Sequence, residues 1–189
     1  EYYALYDNLK KKDKEEKLII AQDPVYNETG SFAVVEIRSQ DNKERWLVNL
    51  NSENGTFEEI DHQHDEAWIG GPGIPSYSFG SGNLGFLYDN ETIYFQSEAT
   101  GFSHLYTYNL KTKKKTQVTT GKWEVRDVTL SKDKKTFCLS TNTTHPGNRE
   151  WYKLNANDSV LQPILTADGA HEVTMSPDET TVVVRYSYK

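Results

Sequence analysis

The sequence predicts an all-β fold: an arc of a β-propeller built from four-stranded antiparallel blades, about three of them plus the start of a fourth. Three observations carry that prediction. Short runs rich in Tyr, Val, Thr and Trp alternate with tight-turn signals through most of the 189 residues, and such side chains suit a pleated, half-buried surface. No apolar stripe recurs at helical spacing over several turns. The pattern also repeats at a period near 45 residues, within the ~40–50 residues of a WD-type or kelch-type blade.

The charged opening through "LKKKDKEEK" (9–17) reads as a surface connection or short helix. Strands are then expected near 17–22, 32–38 and 45–50, followed by 92–97, 104–110 and 116–120. Further strands are expected near 127–131, 136–141, 150–155, 161–166, 171–176 and 180–188. Between them "DNET", "KTKKK", "SKDKK" and "SPDET" each supply the residue types of a tight turn.

The units align in register. Ser131-Lys132-Asp133 with the Thr136–Leu139 run matches Ser176-Pro177-Asp178 with Thr181–Val184 at an offset of 45, and Asp89-Asn90 precedes the Asp133 stretch by 44. Leu105, Tyr106 and Asn109 match Trp151, Tyr152 and Asn155 at 46; Gly121–Val125 matches Gly169–Val173 at 48. Arg45–Leu50 precedes the His104 strand by about sixty, so an insertion lies between, visible as "HQHDEAWIGGPGIPSYSFG". The expected units are therefore about 17–61, 84–125, 127–172 and 173–189, with the insertion at 62–83, all within one propeller domain. A blade cannot bury both its faces alone, so neighbours stack and share a core. That accounts for "TVVVRYSY", apolar or aromatic on both faces. Propellers have ~4–8 blades, so this arc is expected to belong to a longer chain, as does a start at Glu1 rather than methionine.

Composition excludes several classes. A formal net charge of −7 argues against a nucleic-acid binder, which needs a basic face to neutralise phosphates. Lys111, Lys113, Lys114 and Lys115 read as a solvated hairpin turn. No apolar run approaches the ~20 residues that span a bilayer, so no transmembrane segment is expected. Cys138 is the sole cysteine, which rules out an internal disulfide and leaves the redox compartment open. Sequons at Asn27, Asn54, Asn90, Asn142 and Asn157 read as turn chemistry.

None of the chemical motifs is complete. "GSGNLG" (80–85) matches G-x-G-x-x-G, but "FLYDNETIYFQS" follows as strand, turn, strand rather than as the helix a dinucleotide site needs. "DHQHDE" (61–66) gathers His62, His64, Asp65 and Glu66. On a strand His62 and His64 would point the same way and could chelate together, yet the segment reads as a solvated loop and no metal is assigned. Ser81 has Phe79 rather than Gly two residues before it, so no G-x-S-x-G elbow exists. Cys138 lies in an apolar strand and reads as an inert core thiol. His104, among tyrosines, reads as a packed or rim histidine; nothing ties it, His145 or His171 to a nucleophile. Glu15-Glu16 sits in a mixed-charge run and reads as solvated. No catalytic, substrate-binding or metal residue is assigned, and no cofactor is expected.

Several segments in their order carry a resemblance: "DEAWIGGPG" (65–73), "GNLGFLYDNETIYFQSE" (82–98), "SEATGFSHLYTYNL" (97–110), "TTGKWEV" (119–125) and "HPGNREWYKLN" (145–155). Together they resemble the N-terminal β-propeller of the dipeptidyl peptidase IV family, in the prolyl oligopeptidase group of serine peptidases. The likeness is strongest over about 60–189; residues 1–60 fit as a preceding blade. It implies a larger secreted or periplasmic enzyme that releases dipeptides, commonly after proline or alanine, and typically dimerises. Its Ser, Asp and His would lie on an α/β-hydrolase domain of the same polypeptide, and the propeller would gate peptide substrates. The family's paired-glutamate motif belongs to an earlier propeller region, and Glu15-Glu16 lacks its context, so no site residue is carried over. The expected role is a non-catalytic propeller segment; the alternative is a stand-alone propeller that binds a protein or glycan partner.

Overall fold

The structure, a computed structural model, describes residues 18–51, 53–74 and 83–187. Those residues form strands only, arranged in four antiparallel sheets. The first contains β1 (Ile19–Ala21), β2 (Val25–Tyr26), β3 (Ala33–Ser39), β4 (Glu44–Leu50) and β5 (Phe57–His64), in the order β1-β3-β4-β5 with β2 also pairing β3. The second runs β6 (Leu84–Phe86), β7 (Thr92–Ser97), β8 (His104–Asn109) and β9 (Lys114–Gln117). The third runs β10 (Val125–Leu130), β11 (Thr136–Thr141), β12 (Glu150–Asn155) and β13 (Gln162–Leu165), and the fourth pairs β14 (Ala170–Met175) with β15 (Val182–Ser187). Consecutive four-stranded meanders of this kind are the blades of a partial β-propeller.

One hairpin recurs at the head of each sheet. In each, a backbone N–H at position n bonds the carbonyl at n+5, and the N–H at n+3 bonds the carbonyl at n: Asn27/Phe32, Leu87/Thr92, Ser131/Thr136 and Ser176/Thr181. The n+3 residue has positive φ each time, at Gly30 (70°), Asn90 (56°), Lys134 (58°) and Glu179 (61°). Only the first is glycine. The strain of the others is offset by capping: Asp89, Asp133 and Asp178 accept from the N–H of Glu91, Lys135 and Thr180, an Asx turn that fixes the bend. The Asp spacing read from the sequence is thus the spacing of a structural part.

The hairpins also join sheet to sheet. Asn27 Nδ2 donates to Asn90 O at 2.9 Å, and Glu28 N to Asn90 Oδ1 at 3.1 Å. Tyr88 N donates to Lys134 O at 3.3 Å and Lys132 N to Glu179 Oε1 at 2.8 Å. At each seam the second residue of one hairpin reaches the fourth of the next.

Apolar packing fills the seams behind these contacts. Val34, Leu47 and Ile60 of the first sheet meet Phe86, Ile93, Phe95, Tyr106, Tyr108 and Leu110 of the second. Leu105 and Val118, on the other face of the second sheet, meet Val125, Phe137, Leu139 and Leu154 of the third. A sheet between two others is covered on both sides, so successive residues of β8 and β11 are nearly all buried. Each fully buried Phe, such as Phe95 or Phe137, contributes about 1.5–3 kcal/mol by burial. β15 is the opposite case: all six residues are exposed, and among the described residues it pairs only with β14.

Two sequence expectations are corrected in detail. β5 extends through His64, so "HQH" is strand rather than loop; Glu44, Arg45 and Trp46 pair with His64, Gln63 and His62 along it. The Lys-rich hairpin is also more than solvated turn. Lys111 pairs with Glu91 at 2.5 Å, Lys113 with Glu58, and Lys115 with the buried Asp61, the last two crossing from the second sheet to the first. Lys115 Nζ lies 5.0 Å from the Tyr106 ring centroid, an added cation–π contact.

Candidate functional site

Antiparallel connectivity puts the recurrent hairpins and the third-to-fourth strand turns at one end of the sheets. The second-to-third strand loops and the crossovers between sheets fall at the other. The histidines singled out in the sequence gather at the crossover end, while Cys138 lies within β11. Glu15-Glu16, and Gly80, Ser81 and Gly82 of "GSGNLG", lie outside the described residues. The rest of that motif leads into β6, a turn and β7, so no helix follows it.

The "DHQHDE" histidines share one carboxylate. Glu44, opposite them on β4 and 4% exposed, accepts from His62 Nε2 at 2.6 Å and His64 Nδ1 at 2.7 Å. His64 Nε2 also donates to Glu66 Oε1 at 3.2 Å. Both His64 ring nitrogens therefore face carboxylate acceptors, an arrangement that favours the doubly protonated ring. The hydrogen bonds to Glu66 and then to Glu44 raise its pKa above the ordinary value. His62 stacks on Trp46, ring centroids 5.1 Å apart. The imidazoles are thus turned onto Glu44, and among the described residues no group of three His, Cys, Asp or Glu could hold a metal ion.

The "GGPG" loop continues from this cluster and is fastened to the second sheet. Gly70 N and Gly71 N donate to Glu98 Oε2 at 3.4 and 3.2 Å. Gln96, fully buried, places the two N–H groups of Nε2 among three acceptors, Val125 O at 2.7 Å, Ser103 Oγ at 3.0 Å and Pro72 O at 3.1 Å, and accepts from Asn83 Nδ2 at 2.5 Å. Gly73 has φ of 70°, and a Cβ there would overlap the Gln96 carboxamide. Glycine is needed for close approach to a side chain rather than to a phosphate.

His104 is fully buried. Its Nε2–H donates to Gly121 O at 3.1 Å, and its Nδ1 accepts from Thr119 Oγ1 at 3.0 Å. Thr119 Oγ1 in turn accepts from Leu105 N at 2.9 Å. Trp123 closes over the ring edge-on at 5.0 Å, and a Cβ on Gly121 (φ 144°) would overlap that indole. Burial lowers the His104 pKa, against smaller raising effects of Gly121 O and Glu124. A threonine–histidine pair exists here, but the ring's other nitrogen faces a backbone carbonyl rather than a carboxylate, and no substrate can reach it. It is a neutral pin for the crossover.

In the third sheet Glu150 stands where His104 does, and Trp151 and His171 match Leu105 and Trp123. Trp151 Nε1 donates to His171 O at 2.8 Å, and His171 Nδ1 donates to Arg149 O at 3.1 Å. Glu150, fully buried, accepts from Thr143, Thr144 and Tyr152 hydroxyls. Burial pushes its carboxyl pKa up, but these hydrogen bonds outweigh it and hold it below the usual range. His145 Nδ1 accepts from Gly147 N at 3.0 Å within its own loop. Cys138 is buried, and burial raises its thiol pKa, the opposite of an activated nucleophile. Sequence reasoning missed Glu44, Gln96 and Glu150, the carboxylates and carboxamide that organise this end. Their only signal was a polar residue at the end of an otherwise apolar or aromatic strand.

Comparison with solved proteins gives the same fold. A putative dipeptidyl aminopeptidase IV from Bacteroides ovatus superposes with a TM-score of 0.70 at 17% identity, over 90% of this chain and 26% of that one. Porphyromonas gingivalis dipeptidyl peptidase 4 superposes with a TM-score of 0.68 at 16% identity, over 87% of this chain and 22% of that one. The chain thus spans about a quarter of the length of these structural relatives. The family described as the dipeptidyl peptidase IV (DPP IV) N-terminal region matches residues 10–189, and the chain, a run of stacked propeller blades, belongs to that family.

Proposed function

We propose that this chain is a non-catalytic propeller segment of a dipeptidyl-peptidase-IV-like serine exopeptidase. Its units, about 17–61, 84–125, 127–172 and 173–189, act as blades that shape the substrate entrance and form a surface for an α/β-hydrolase domain of the same polypeptide. The supporting observation is the family match over residues 10–189 on a chain whose histidines and carboxylates are turned onto one another and onto the backbone. Peptides would be the substrates of the whole protein, which would act in the periplasm or outside the cell and would dimerise.

The test uses the complete open reading frame beside the isolated chain. The complete protein should release p-nitroaniline from an Xaa-Pro chromogenic dipeptide and stop on treatment with a serine-directed inhibitor; the isolated chain should do neither. Inhibitor-sensitive turnover by the isolated chain, or a frame with no G-x-S-x-G elbow, sinks the proposal. In the latter case a propeller that binds a protein or glycan takes its place.

A further inference from the structure

Five sequons marked this sequence, and the functional reading uses none of them. One differs from the rest: Asn54 is followed by Gly55, the sole Asn-Gly dipeptide in the chain. We infer that Asn54 is a site of spontaneous covalent modification, at which the backbone nitrogen of Gly55 closes a succinimide on the Asn54 side chain and water opens it to aspartate or isoaspartate.

The placement favours the reaction. Asn54 is exposed in the turn joining β4 to β5. The attacking nitrogen must approach the side-chain carbon, and a side chain on the following residue hinders that approach. Gly55 has none, adopts φ of 68°, and has no heavy atom within 4 Å of the Cβ position. The carbonyl under attack is polarised, because Asn54 Oδ1 accepts from Thr56 N at 3.0 Å and Thr56 Oγ1 at 2.7 Å. Where they persist after the turn opens, these two donors favour the oxyanion that attack creates.

The other sequon asparagines lack the combination. Asn27 is buried, with the two N–H groups of Nδ2 held among Thr29 Oγ1, Ser31 Oγ and Asn90 O. Asn142 Oδ1 accepts from Glu124 N at 2.6 Å, and Asn157 Nδ2 donates to the Tyr88 hydroxyl at 3.0 Å. Asn90 is followed by glutamate.

One contact opposes the reaction: Gly55 N–H donates to Asn51 O at 2.9 Å. The turn must open before the nitrogen attacks, and hairpin tips open with little free energy. The step balances without an oxidant. The Gly55 nitrogen bonds Asn54 Cγ, the Cγ–Nδ2 bond breaks, and Nδ2 leaves as ammonia with the Gly55 amide proton. Water then adds to either imide carbonyl. The product places a new carboxylate next to Glu53 in the chain, and isoaspartate adds a backbone methylene to the turn between β4 and β5.

Peptide mapping by mass spectrometry, after incubating the folded protein in mildly alkaline buffer, tests this. The peptide containing Asn54 should gain one dalton with time and score for isoaspartate with the isoaspartyl methyltransferase, ahead of every other asparagine. Gly55→Ala should slow the gain severalfold by placing a Cβ beside the attacking nitrogen. Because alanine strains a positive-φ turn, Thr56→Val is the companion variant: it keeps Gly55, removes one donor, and should also slow the gain while the circular dichroism spectrum is unchanged. The inference is overturned by an unchanged Asn54 in folded protein while the unfolded protein converts, or by Gly55→Ala converting as fast as the parent.

Discussion

Asn27 donates its carboxamide Nδ2–H to the carbonyl oxygen of Asn90 at 2.9 Å, across the seam between the first and second sheets. The same side chain accepts the Phe32 N–H on Oδ1 at 3.1 Å, closing its own hairpin. A single buried carboxamide thus sets a turn and welds that turn to its neighbour. Asn27→Ala leaves Phe32 N and Asn90 O without these partners, and should cost about 1–3 kcal/mol, the range for stranding buried polar groups. The check is a lower urea midpoint with an unchanged m-value, which distinguishes lost stability from a changed unfolded state.

The repeated hairpin was legible in sequence because it depends on local chemistry. Asp89, Asp133 and Asp178 cap their own turns, so their spacing of 44 and 45 reports the blade period directly. The first copy escaped the alignment because Thr29 replaces the Asp and Gly30 supplies the positive φ instead. β5 was harder: "FEEIDHQH" has only Phe57 and Ile60 as apolar members. Asp61 and Gln63 are buried in it, Asp61 because Lys115 reaches it from another sheet. That partner lies fifty-four residues away in sequence, and no local pattern encodes it. The crossover end was illegible for the same reason. Glu44 meets His62 and His64 only once β4 and β5 are paired.

The Lys115–Asp61 pair makes its own prediction. Lys115→Ala removes a partly exposed ammonium from a buried carboxylate, and also its contact over Tyr106. The expected cost is about 1–2 kcal/mol, above an exposed pair and below a fully buried one. Adding Asp61→Asn should recover part of it, because the stranded charge is gone. A double-mutant cycle by urea denaturation measures the coupling. Additive effects would reduce the pair to a surface contact.

His104 and His64 should respond to pH in opposite directions. The folded pKa of His104 lies below its ordinary value because burial disfavours the charged ring. Above about pH 6.5, the ordinary histidine pKa, both folded and unfolded states leave it neutral, and its contribution is complete. Below that value only the unfolded chain takes the proton, so stability falls with acidification. His64, raised by Glu66 and Glu44, behaves inversely. Its contribution is complete below the ordinary pKa and is lost as pH rises through the higher folded value. Urea midpoints across mildly acidic to mildly alkaline pH should therefore show the penalty of His104→Gln shrinking toward acid and that of His64→Ala shrinking toward alkali. Parallel curves for both variants would refute the assignment.

β15 predicts how the isolated chain behaves in solution. Val183 is 68% and Tyr186 67% exposed on a strand that, among the described residues, is paired on one side only. An apolar edge strand of that kind is a template for pairing with another chain. The chain expressed alone should therefore self-associate, with a sedimentation coefficient that rises with concentration. Val183→Lys places a charge on the exposed strand and should shift the distribution toward monomer while leaving the seams untouched, since Val183 belongs to none of the buried clusters that join the sheets. A concentration-independent monomer for the parent chain would mean that the β15 edge is already protected.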